Sequence, residues 1–432
     1  MLEPYRVLDL TDHRGQIAGF ILASLGAEVV LVEPPEGNPA RWRGDGLEWW
    51  AYSRGKSSVV CDTHEQLLEL VRDADVLIES GATLDREELA AANPALVHVS
   101  ITAFGRDGPK GHWAASDLTI VASGCALALT GDSDRAPVRT TVPQAWLHAG
   151  AEAADGALLA LAERVRSGIG QHVDVSAQQA VMQAGIPGVL LAPNDNEPAR
   201  RTAGGILAGP LHLQFVYPAV DGYVSILLLF GTTVGPFTRR LMEWVYEEGH
   251  CDASMRDWDW LGFGLRLATE PEGASELESV KAAVTKLTTS MTKAALFAEA
   301  RRRELLLAPV NTLAEIVANQ HLHERGYWEE VDGRRCPGAF VKASGWPLPT
   351  LSRPPQIGEQ TARLQSPRAR VTSAPTDPRT AGDLPLAGLK VVDLSWVFAG
   401  PLTTRVLSDF GATVVKVEGP AHPDAARGGG GA

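Results

Sequence analysis

The stretch VLDLTDHRGQIAGFILASLGAEVVLVEPP, from Val7 to Pro35, contains the pattern that decides the fold. Two short apolar runs, Val7–Leu10 and Val29–Val32, flank a helical segment at Gln16–Leu25. Apolar runs of this length, separated by a helical segment, predict a β-strand, an α-helix and a second strand parallel to the first. The chain is therefore predicted to open with a βαβ unit.

The same alternation continues toward residue 176. Further strands are predicted at Ser58–Val60, Val76–Ile78, Leu96–Ile101 and His172–Val175, and helices at His64–Arg72 and Gly150–Arg166. Strands that are apolar on both faces and separated by helices are typical of a parallel sheet that is covered on each side. The predicted fold class is α/β, a doubly wound parallel sheet with a second, smaller domain.

The middle of the chain has a different pattern. Strands at Leu211–Val216 and Tyr223–Phe230 are predicted to pair around Asp221–Gly222. Helical patterns run through Trp244 and from Thr289 to Arg303. Residues 351–385 are rich in Pro, Ser, Thr and Arg and too poor in apolar side chains to fold alone, so we expect a linker there.

After that segment the beginning of the chain is repeated. VVDLSWVFAGPLTTRVLSDFGATVVKVEGP, from Val391, matches the opening stretch, with Asp393 at the place of Asp9 and Glu418 at the place of Glu33. A repeat after about 385 residues indicates duplication of a whole protein rather than of a small repeat unit. Because two strands cannot cover their own apolar faces, we expect this chain to be the front part of a longer one.

Composition and spacing argue against several classes of function. A net charge of −13 disfavours nucleic-acid binding. No leader pattern and no long apolar run indicate export or a membrane span, so we expect a cytoplasmic protein. The four cysteines are too widely spaced to predict a metal site, and the pair His321 and His323 has no third ligand near it in sequence. Asp9–Gly15 has one glycine where a dinucleotide site needs three.

Four segments carry a resemblance to a known family. They are DLSWVFAGPLTTRVLSDFGATVVKVE, NPALVHVSITAFGRDGP, SGIGQHVDVSAQQA and LAPVNTLAEIVANQHLHERGYWEEV. They resemble the family III CoA-transferases, the group that includes formyl-CoA and carnitine CoA-transferases, over nearly all of 1–350 and again from 386. The resemblance implies a large Rossmann-like domain built from both ends of each copy, a small domain from its middle, and two copies interlocked like links of a chain.

The domain organisation follows from the residues and the resemblance together. We expect the N-terminal part of the large domain at 1–210, the small domain at 211–330, a return to the large domain at 331–350, the linker at 351–385 and the truncated start of a second copy at 386–432. The partner is then a second copy, in an interlocked homodimer or in a pseudo-dimer.

The resemblance also implies the chemistry. An aspartate attacks an acyl-CoA thioester to give a mixed anhydride, the released thiolate returns to form an aspartyl-CoA thioester, and an acceptor acid then collects the CoA. Coenzyme A or acyl-CoA is a substrate, a carboxylic acid is the other, and no prosthetic group or metal is implied.

The nucleophile's position holds an indole. In the family this aspartate precedes the Gln of a Gly-X-Gly-Gln turn by a fixed interval; that Gln is Gln171 here, and the interval leads back to Trp146. Gly150 and Gly156 keep their family positions, so the alignment holds. We therefore expect no catalytic residue in this copy. The neighbouring carboxylates are expected to be ordinary ones; they are Glu152, Asp155 and Asp174.

Racemisation of 2-methylacyl-CoA esters, the alternative within the family, needs a histidine and an aspartate as its two bases. Ser116, within Ala115–Asp117, stands where the racemases have the histidine, and Trp146 again replaces the aspartate. The racemase interpretation is therefore weaker.

By resemblance, CoA-binding residues follow the strands of the large domain. They are Cys61, Asp62, Thr63, His64, Ser80, Gly81, Ala82, Arg86, Trp113, Ala114, Ala115 and Ser116. Basic side chains that are candidate phosphate contacts are Arg41, Arg43, Arg54 and Lys56. An aromatic cluster is expected to pack under a loop or to form a wall of the acyl pocket; it comprises Trp42, Trp49, Trp50 and Tyr52.

Two hypotheses remain open. In the first, the chain is the front portion of a fused CoA-transferase whose second copy carries the aspartate. In the second, it is a non-catalytic CoA-ester-binding or scaffold subunit that needs a separate active partner.

Overall fold

A computed structural model gives the structure of the chain. It describes residues 1–81, 83–185, 189, 193, 199–208, 211–231, 234–364, 384–419 and 424. Compactness divides the chain into two units, the first of residues 1–127, 139–189 and 320–426, and the second of 128–138, 190–319 and 427–432. The domain boundaries expected from the sequence stay predictions.

The first unit is built on a six-stranded parallel sheet of order β3-β2-β1-β4-β5-β6. Its strands are β1 Arg6–Leu10, β2 Glu28–Glu33, β3 Ser57–Val60, β4 Val76–Ser80, β5 Val97–Thr102 and β6 His172–Ser176. Its first helices are α1 Gln16–Ser24, α2 Leu47–Tyr52, α3 His64–Arg72, α4 Arg86–Ala92, α5 Asp117–Ser123, α6 Ala145–Ser167 and α7 Ala177–Ala184. A short 3₁₀ helix lies at Pro39–Trp42.

Both faces of this sheet are covered by helices. Val7 belongs to an apolar cluster with side chains of α1, α6 and α7, whereas the next residue, Leu8, belongs to a second cluster with side chains of α3 and α4. Successive side chains of a strand point to opposite faces, so each strand contributes to both clusters. The predicted doubly wound α/β fold is confirmed.

The described part of the second unit contains five strands, which pair in antiparallel fashion. They are β7 Gly205–Ala208, β8 Leu211–Gln214, β9 Val216–Ala219, β10 Gly222–Ile226 and β11 Leu307–Pro309. Its helices are α8 Gly235–Glu247, α9 Ala253–Arg256, α10 Phe263–Thr269, α11 Gly273–Thr289, α12 Lys293–Arg302 and α13 Leu313–Val317.

The predicted pairing of Leu211–Val216 with Tyr223–Phe230 is wrong in its first strand. β10 pairs with β9 around Val220 and Asp221, while β8 pairs with β7. Tyr217 and Val224 are register partners, and both are fully buried, so the burial of this pair sets the hairpin register. The segment Leu211–Val216 alternates apolar and polar residues as one strand would, and this pattern gives no sign of the break at Phe215.

The remaining described elements belong to the first unit. They are α14 Gln320–Glu324, β12 Trp328–Val331, β13 Arg334–Pro337, α15 Thr361–Leu364, β14 Lys390–Asp393, α16 Ala399–Asp409 and β15 Thr413–Lys416. In the part of the chain that the structure describes, no helix is both long and apolar enough to cross a membrane.

The beginning of the expected linker is attached to the outer edge of the sheet. The backbone N–H of Gly55 donates to the carbonyl of Ser352 at 3.0 Å, and that of Ser58 donates to the side chain of Gln360 at 2.8 Å. The N–H of Val60 donates to the hydroxyl of Thr361 at 3.1 Å. Residues 352–361 thereby cover an edge strand that would otherwise present unpaired backbone groups. Residues 365–383 of the expected linker lie outside the described residues.

The repeated segment near the end forms a small βαβ unit. β14 and β15 pair in parallel, with Val391 opposite Val414, the same register in which β1 and β2 place Val7 opposite Val29. Local pattern alone therefore gives both segments the same backbone arrangement.

Candidate active site

The carboxyl ends of β1 and β4 form the switch point of the sheet, because the chain leaves β1 toward one edge and later returns to β4 on its other side. Ligands of open α/β sheets bind in the crevice at such a point. Here the N–H of Asp12 donates to the hydroxyl of Ser80 at 3.2 Å, and a guanidinium nitrogen of Arg14 donates to the Ser80 carbonyl at 3.4 Å. The loop after β1 is thus fastened to the end of β4.

A cavity of about 940 Å³ lies beside this loop, within the first unit. It is lined by Asp12, His13, Arg14, Arg43, Leu47, Glu48, Ala51, Tyr52, Ala115, Ser116, Asp117, Leu118, Arg139, Val142, Pro143, Trp146 and Leu147. The volume is near the upper end of the range for small-molecule sites, about 300–1,000 Å³. The mixture of apolar walls and a few charged groups is also typical of them.

Trp146 lies in the first turn of α6, with 7% of its surface exposed, and forms part of the cavity wall. A Cβ at Gly150 would collide with Ile17 of α1, and one at Gly156 would lie 2.7 Å from Val173 of β6. These two glycines let α6 pack closely on both neighbours. Close packing on two elements fixes the rotation of α6 and therefore the direction of Trp146.

The start of α6 is held by Asp117. Its carboxylate accepts the N–H of Ala145 at 2.8 Å, which satisfies one of the free donors at the beginning of the helix. Asp117 is itself the first residue of α5, where Ser116 forms a capping box with Thr119. Ala115, Ser116 and Trp146 are in this way brought to one cavity.

The acidic and basic groups of the loop after β1 are largely paired. Arg14 donates through Nε to both carboxylate oxygens of Asp12, at 2.9 and 3.0 Å. Burial alone would raise the pKa of Asp12, but the hydrogen bonds and charge of Arg14 outweigh it and hold that pKa below its usual value. Burial lowers the pKa of His13 despite the opposing charge of Asp12, so its imidazole is neutral at pH 7.

The carboxylates nearest to Trp146 in sequence lie away from the cavity. Asp155 lies nine residues beyond Trp146, about 180° around the helix, and Glu152 lies about 120° away. Both are exposed, and neither lines the cavity. Although both side chains reach solvent, partial desolvation by neighbouring atoms raises the pKa of both carboxyl groups, and the charge of Asp155 adds to the effect on Glu152. Asp174 lies on β6 and accepts the N–H of Arg106 at 2.8 Å.

The other predicted CoA-binding residues that the structure describes lie outside the cavity lining. Thr63 caps α3 in a capping box with Gln66, and His64 contacts Glu88 at 2.9 Å. Gly81 has φ +112° and donates its N–H to the carbonyl of Ile101 at 2.7 Å. The remaining residues of the set lie at strand ends, at a helix start or in a loop; they are Cys61, Asp62, Ser80, Arg86, Trp113 and Ala114. Ala82 lies outside the described residues.

Three of the four candidate phosphate contacts are used inside the fold. Arg41 pairs with Glu33 at 2.6 Å, Lys56 pairs with Asp9 at 2.7 Å, and Arg54 donates to the sulfur of Cys336 at 2.8 Å. Only Arg43 of this set lines the cavity.

The members of the aromatic cluster lie in different surroundings, and the role expected for them stays a prediction. Trp49 is buried with the guanidinium of Arg41 4.4 Å from its ring centre, while Trp42 is 71% exposed. Tyr52 lines the cavity, and burial, followed by the charge of Glu48, raises the pKa of its hydroxyl.

A buried polar cluster under the loop after β4 was not predicted. Glu79 accepts hydrogen bonds from Ser100 at 3.0 Å and Arg106 at 3.2 Å, and Nε2 of His98 lies 3.0 Å from the same oxygen. Burial, followed by the charges of His98 and Arg106, lowers the pKa of His172 to about 4. In β5, with sequence VHVSIT, polar side chains alternate with apolar ones and so share one face. This alternation is the sequence signal that could have predicted the polar cluster.

No group of three or more potential metal ligands is found among the described residues, which include His321 and His323.

Comparison with known proteins places this geometry in a family. The model of CoA-transferase family III matches residues 2–361 and again 386–432. Succinyl-CoA:(R)-benzylsuccinate CoA-transferase subunit BbsE of Thauera aromatica is 32% identical over 83% of this chain and 92% of its own length.

Two further comparisons extend this result. The probable CoA-transferase Rv1866 of Mycobacterium tuberculosis is 30% identical over 98% of this chain, which spans 54% of that protein. The crystal structure of a CAIB/BAIF family protein from Brucella suis is 27% identical, with a TM-score of 0.68 over 84% of this chain and 98% of that one. With its family model matched over most of its length, the chain belongs to CoA-transferase family III.

Proposed function

We propose that the chain takes part in moving CoA between an acyl-CoA and a carboxylic acid, and that its first copy, residues 1–361, does not itself form the covalent intermediate. A second copy with an intact aspartate supplies the nucleophile, and the two copies interlock as a pseudo-dimer. The renewed match of residues 386–432 to the family model supports the second copy.

The observation that carries this proposal is the buried indole in the cavity wall. Trp146 occupies the position that the family resemblance assigns to the aspartate, and the close packing at Gly150 and Gly156 supports that alignment. An indole has no lone pair basic enough to attack a thioester. The carboxylates nearest in sequence, Glu152 and Asp155, point away from Trp146 around the helix.

A trapping experiment tests the silent first copy. The purified chain is incubated with succinyl-CoA, treated with hydroxylamine or borohydride, digested and analysed by mass spectrometry, with the heat-denatured chain as the blank. We expect no carboxylate of residues 1–432 to be modified above the blank, and no CoA transfer to an added acid. A label on Asp155 or Asp174 would contradict the proposal.

The second candidate function is a non-catalytic CoA-ester-binding or scaffold subunit of a hetero-oligomeric CoA-transferase. It is favoured by the relative from Thauera aromatica, whose name describes it as a subunit. The position of the active aspartate separates the two. An aspartate in the same polypeptide, at the place in the second copy that corresponds to Trp146, supports the fused enzyme; an aspartate found in a separate chain supports the subunit.

A further inference from the structure

The polar cluster around Glu79 contains an ion pair between two elements that are separate in the chain. Glu79 precedes the last residue of β4, and 2% of its side chain is exposed. Its register partner on β5 is Ser100. Arg106 lies in the loop after β5, with 16% of its side chain exposed, and contacts the Glu79 carboxylate at 3.2 Å. A charged pair this far from water needs further hydrogen bonds to be stable.

One carboxylate oxygen of Glu79 holds the loop after β4. This oxygen accepts the N–H and the hydroxyl of Thr83, at 3.1 and 3.0 Å, and the N–H of Leu84 at 3.3 Å. Backbone N–H groups that are removed from water need such acceptors. The far end of the loop is therefore fixed against the end of β4.

Arg106 binds the same loop and joins it to the loop after β5. One guanidinium nitrogen donates to the carbonyl of Leu84 at 3.0 Å, and the other donates to Glu79 and to the hydroxyl of Ser100. The backbone N–H of Arg106 donates to Asp174 of β6 at 2.8 Å. A planar guanidinium binds two acceptors in fixed directions. Arg106 thus sets the position of one loop relative to the other.

The charge of Glu79 is maintained by its partners. Burial alone would raise the pKa of its carboxyl group, but hydrogen bonds with His98, Thr83 and Ser100 outweigh burial and hold that pKa below its usual value. The carboxylate is therefore ionised at pH 7 and keeps both oxygens as acceptors.

The two loops joined by this ion pair contain segments expected to contact CoA. Ser80 and Gly81 begin the loop after β4, and Arg86 follows it. Trp113–Ser116 follow Arg106 in the loop after β5. The start of the first loop is already fixed, because Gly81 donates its N–H to the main chain of β5. A loop that is fixed at both ends before a ligand arrives loses less entropy on binding.

We propose that Glu79 and Arg106 are positioning residues of a CoA-binding site in the first copy. Their ion pair holds the loop after β4 and the loop after β5 in the arrangement that CoA contacts. The choice of CoA as ligand rests on the proposed function. The two residues act through the loops and do not touch CoA themselves.

Isothermal titration of the full chain with CoA tests this inference. We expect saturable binding, and we expect Arg106→Met to weaken it at least about fivefold, because the ligand must then order the loops itself. Arg106→Lys keeps the charge but has one nitrogen where the guanidinium uses two, so it should recover only part of the affinity. Urea denaturation establishes that each variant is folded.

Arg164→Met is the matched control. Arg164 forms another buried ion pair, with Asp75 at 2.8 Å, and the two side chains are 9% and 8% exposed. Asp75 lies just before β4, at the opposite end of the sheet from the two loops. Loss of this pair should lower the urea-unfolding midpoint, because it leaves a buried carboxylate without its counter-ion. The affinity for CoA should change by less than about twofold, since the two sites are distant.

A double-mutant cycle tests whether Glu79 and Arg106 act as a unit. We expect Glu79→Gln to weaken CoA binding about as much as Arg106→Met does, and the double variant to lose no more than the weaker-binding single variant. Hydrogen exchange in the peptide that contains Thr83 and Leu84 gives a second readout. It should be faster in both single variants and unchanged in Arg164→Met.

Four results would each overturn this inference: no saturable binding of CoA, unchanged affinity in Arg106→Met and Glu79→Gln, additive losses in the double variant, or an equal loss in Arg164→Met. These results leave the proposed lack of a nucleophile standing, because the titration contains no thioester. A labelled carboxylate in the trapping experiment would instead overturn the silent copy and leave the positioning role as the titrations measure it.

Discussion

The two βαβ units, β1–α1–β2 and β14–α16–β15, share a backbone register but differ in burial. Leu8 of β1 is 0% exposed, whereas its counterpart Val392 is 68% exposed. Val30 is 1% exposed, and its counterpart Val415 is 55% exposed. The strands β1 and β2 lie inside a six-stranded sheet, while β14 and β15 form a sheet of two. The same local pattern therefore gives the same fold with very different amounts of buried apolar surface.

The matching aspartates of the two units show the same contrast in their partners. Asp9 accepts the N–H and hydroxyl of Thr11, at 3.0 and 2.6 Å, and the ammonium of Lys56, which is fully buried with it. Asp393 accepts the N–H and hydroxyl of Ser395, and its lysine neighbour is 25% exposed. In both βαβ units the aspartate accepts hydrogen bonds from the residue two positions later. Only Asp9 is also paired with a fully buried lysine.

The largest expected difference comes from the aspartates. Asp9→Asn leaves the Lys56 ammonium buried without its counter-ion, which costs about 3–5 kcal/mol of unfolding free energy. Asp393→Asn in the second unit is expected to change the urea-unfolding midpoint of the chain far less. Equal losses of unfolding free energy for Asp9→Asn and Asp393→Asn would show that burial of the aspartate does not distinguish the two βαβ units.

Truncation of the paired apolar residues is expected to give the next effect. Leu8→Ala should lower the free energy of unfolding by about 2–5 kcal/mol, because it opens a cavity between β1 and the helices. Val392→Ala should change it by no more than about 0.5 kcal/mol, as for an exposed surface residue. Urea denaturation measures both, and a large loss for Val392→Ala would mean that its face is covered in solution.

The smallest effect is expected from pH. His172 in the folded sheet has a pKa of about 4, whereas an unfolded histidine titrates near 6.5. As the pH falls from 6.5 to 4, the unfolded chain gains a proton that the folded chain does not accept, so this contribution to stability declines. His172→Asn should flatten the slope of unfolding free energy over this range, measured by urea denaturation at a series of pH values.

Hydrogen exchange gives the matching control for the pH prediction. The segment from β14 to β15 contains no histidine, so its local opening should not follow this titration. If its exchange, corrected for the intrinsic rate, rose in parallel with the loss of stability, the effect would not belong to the His172 cluster.

The sequence predicts the parts of the fold that depend on short periodic patterns. The strands and helices of the first unit are found close to their expected places, because their apolar residues recur with the period of each element. The first strand of the β9–β10 hairpin was misplaced, because the burial of Tyr217 with Val224 decides the register and the local sequence pattern does not reveal that burial.

The cavity was predicted only in part. Trp146, Ala115 and Ser116 were recognised from the family resemblance, but Asp12, His13 and Arg139 were not expected to meet there. Arg139 is far from Asp12 and His13 in the chain, and both segments are loops without periodicity. The available signal was the contrast between the charged loop after β1 and the apolar residues at 396–398 in the repeat.

The two βαβ units differ in the space beside the aspartate near the end of their first strand. A Cβ on Gly19 would collide with the Asp9 carboxylate and would lie 3.0 Å from the Lys56 ammonium. The matching residue, Thr404, instead donates its hydroxyl to Asp393 at 2.8 Å. The β1–α1–β2 unit depends on Lys56, which lies outside the unit and just before β3, whereas the β14–α16–β15 unit has Lys416 in its own β15. The two segments are therefore not interchangeable parts, and a chimera that exchanged them would need the lysine to move as well.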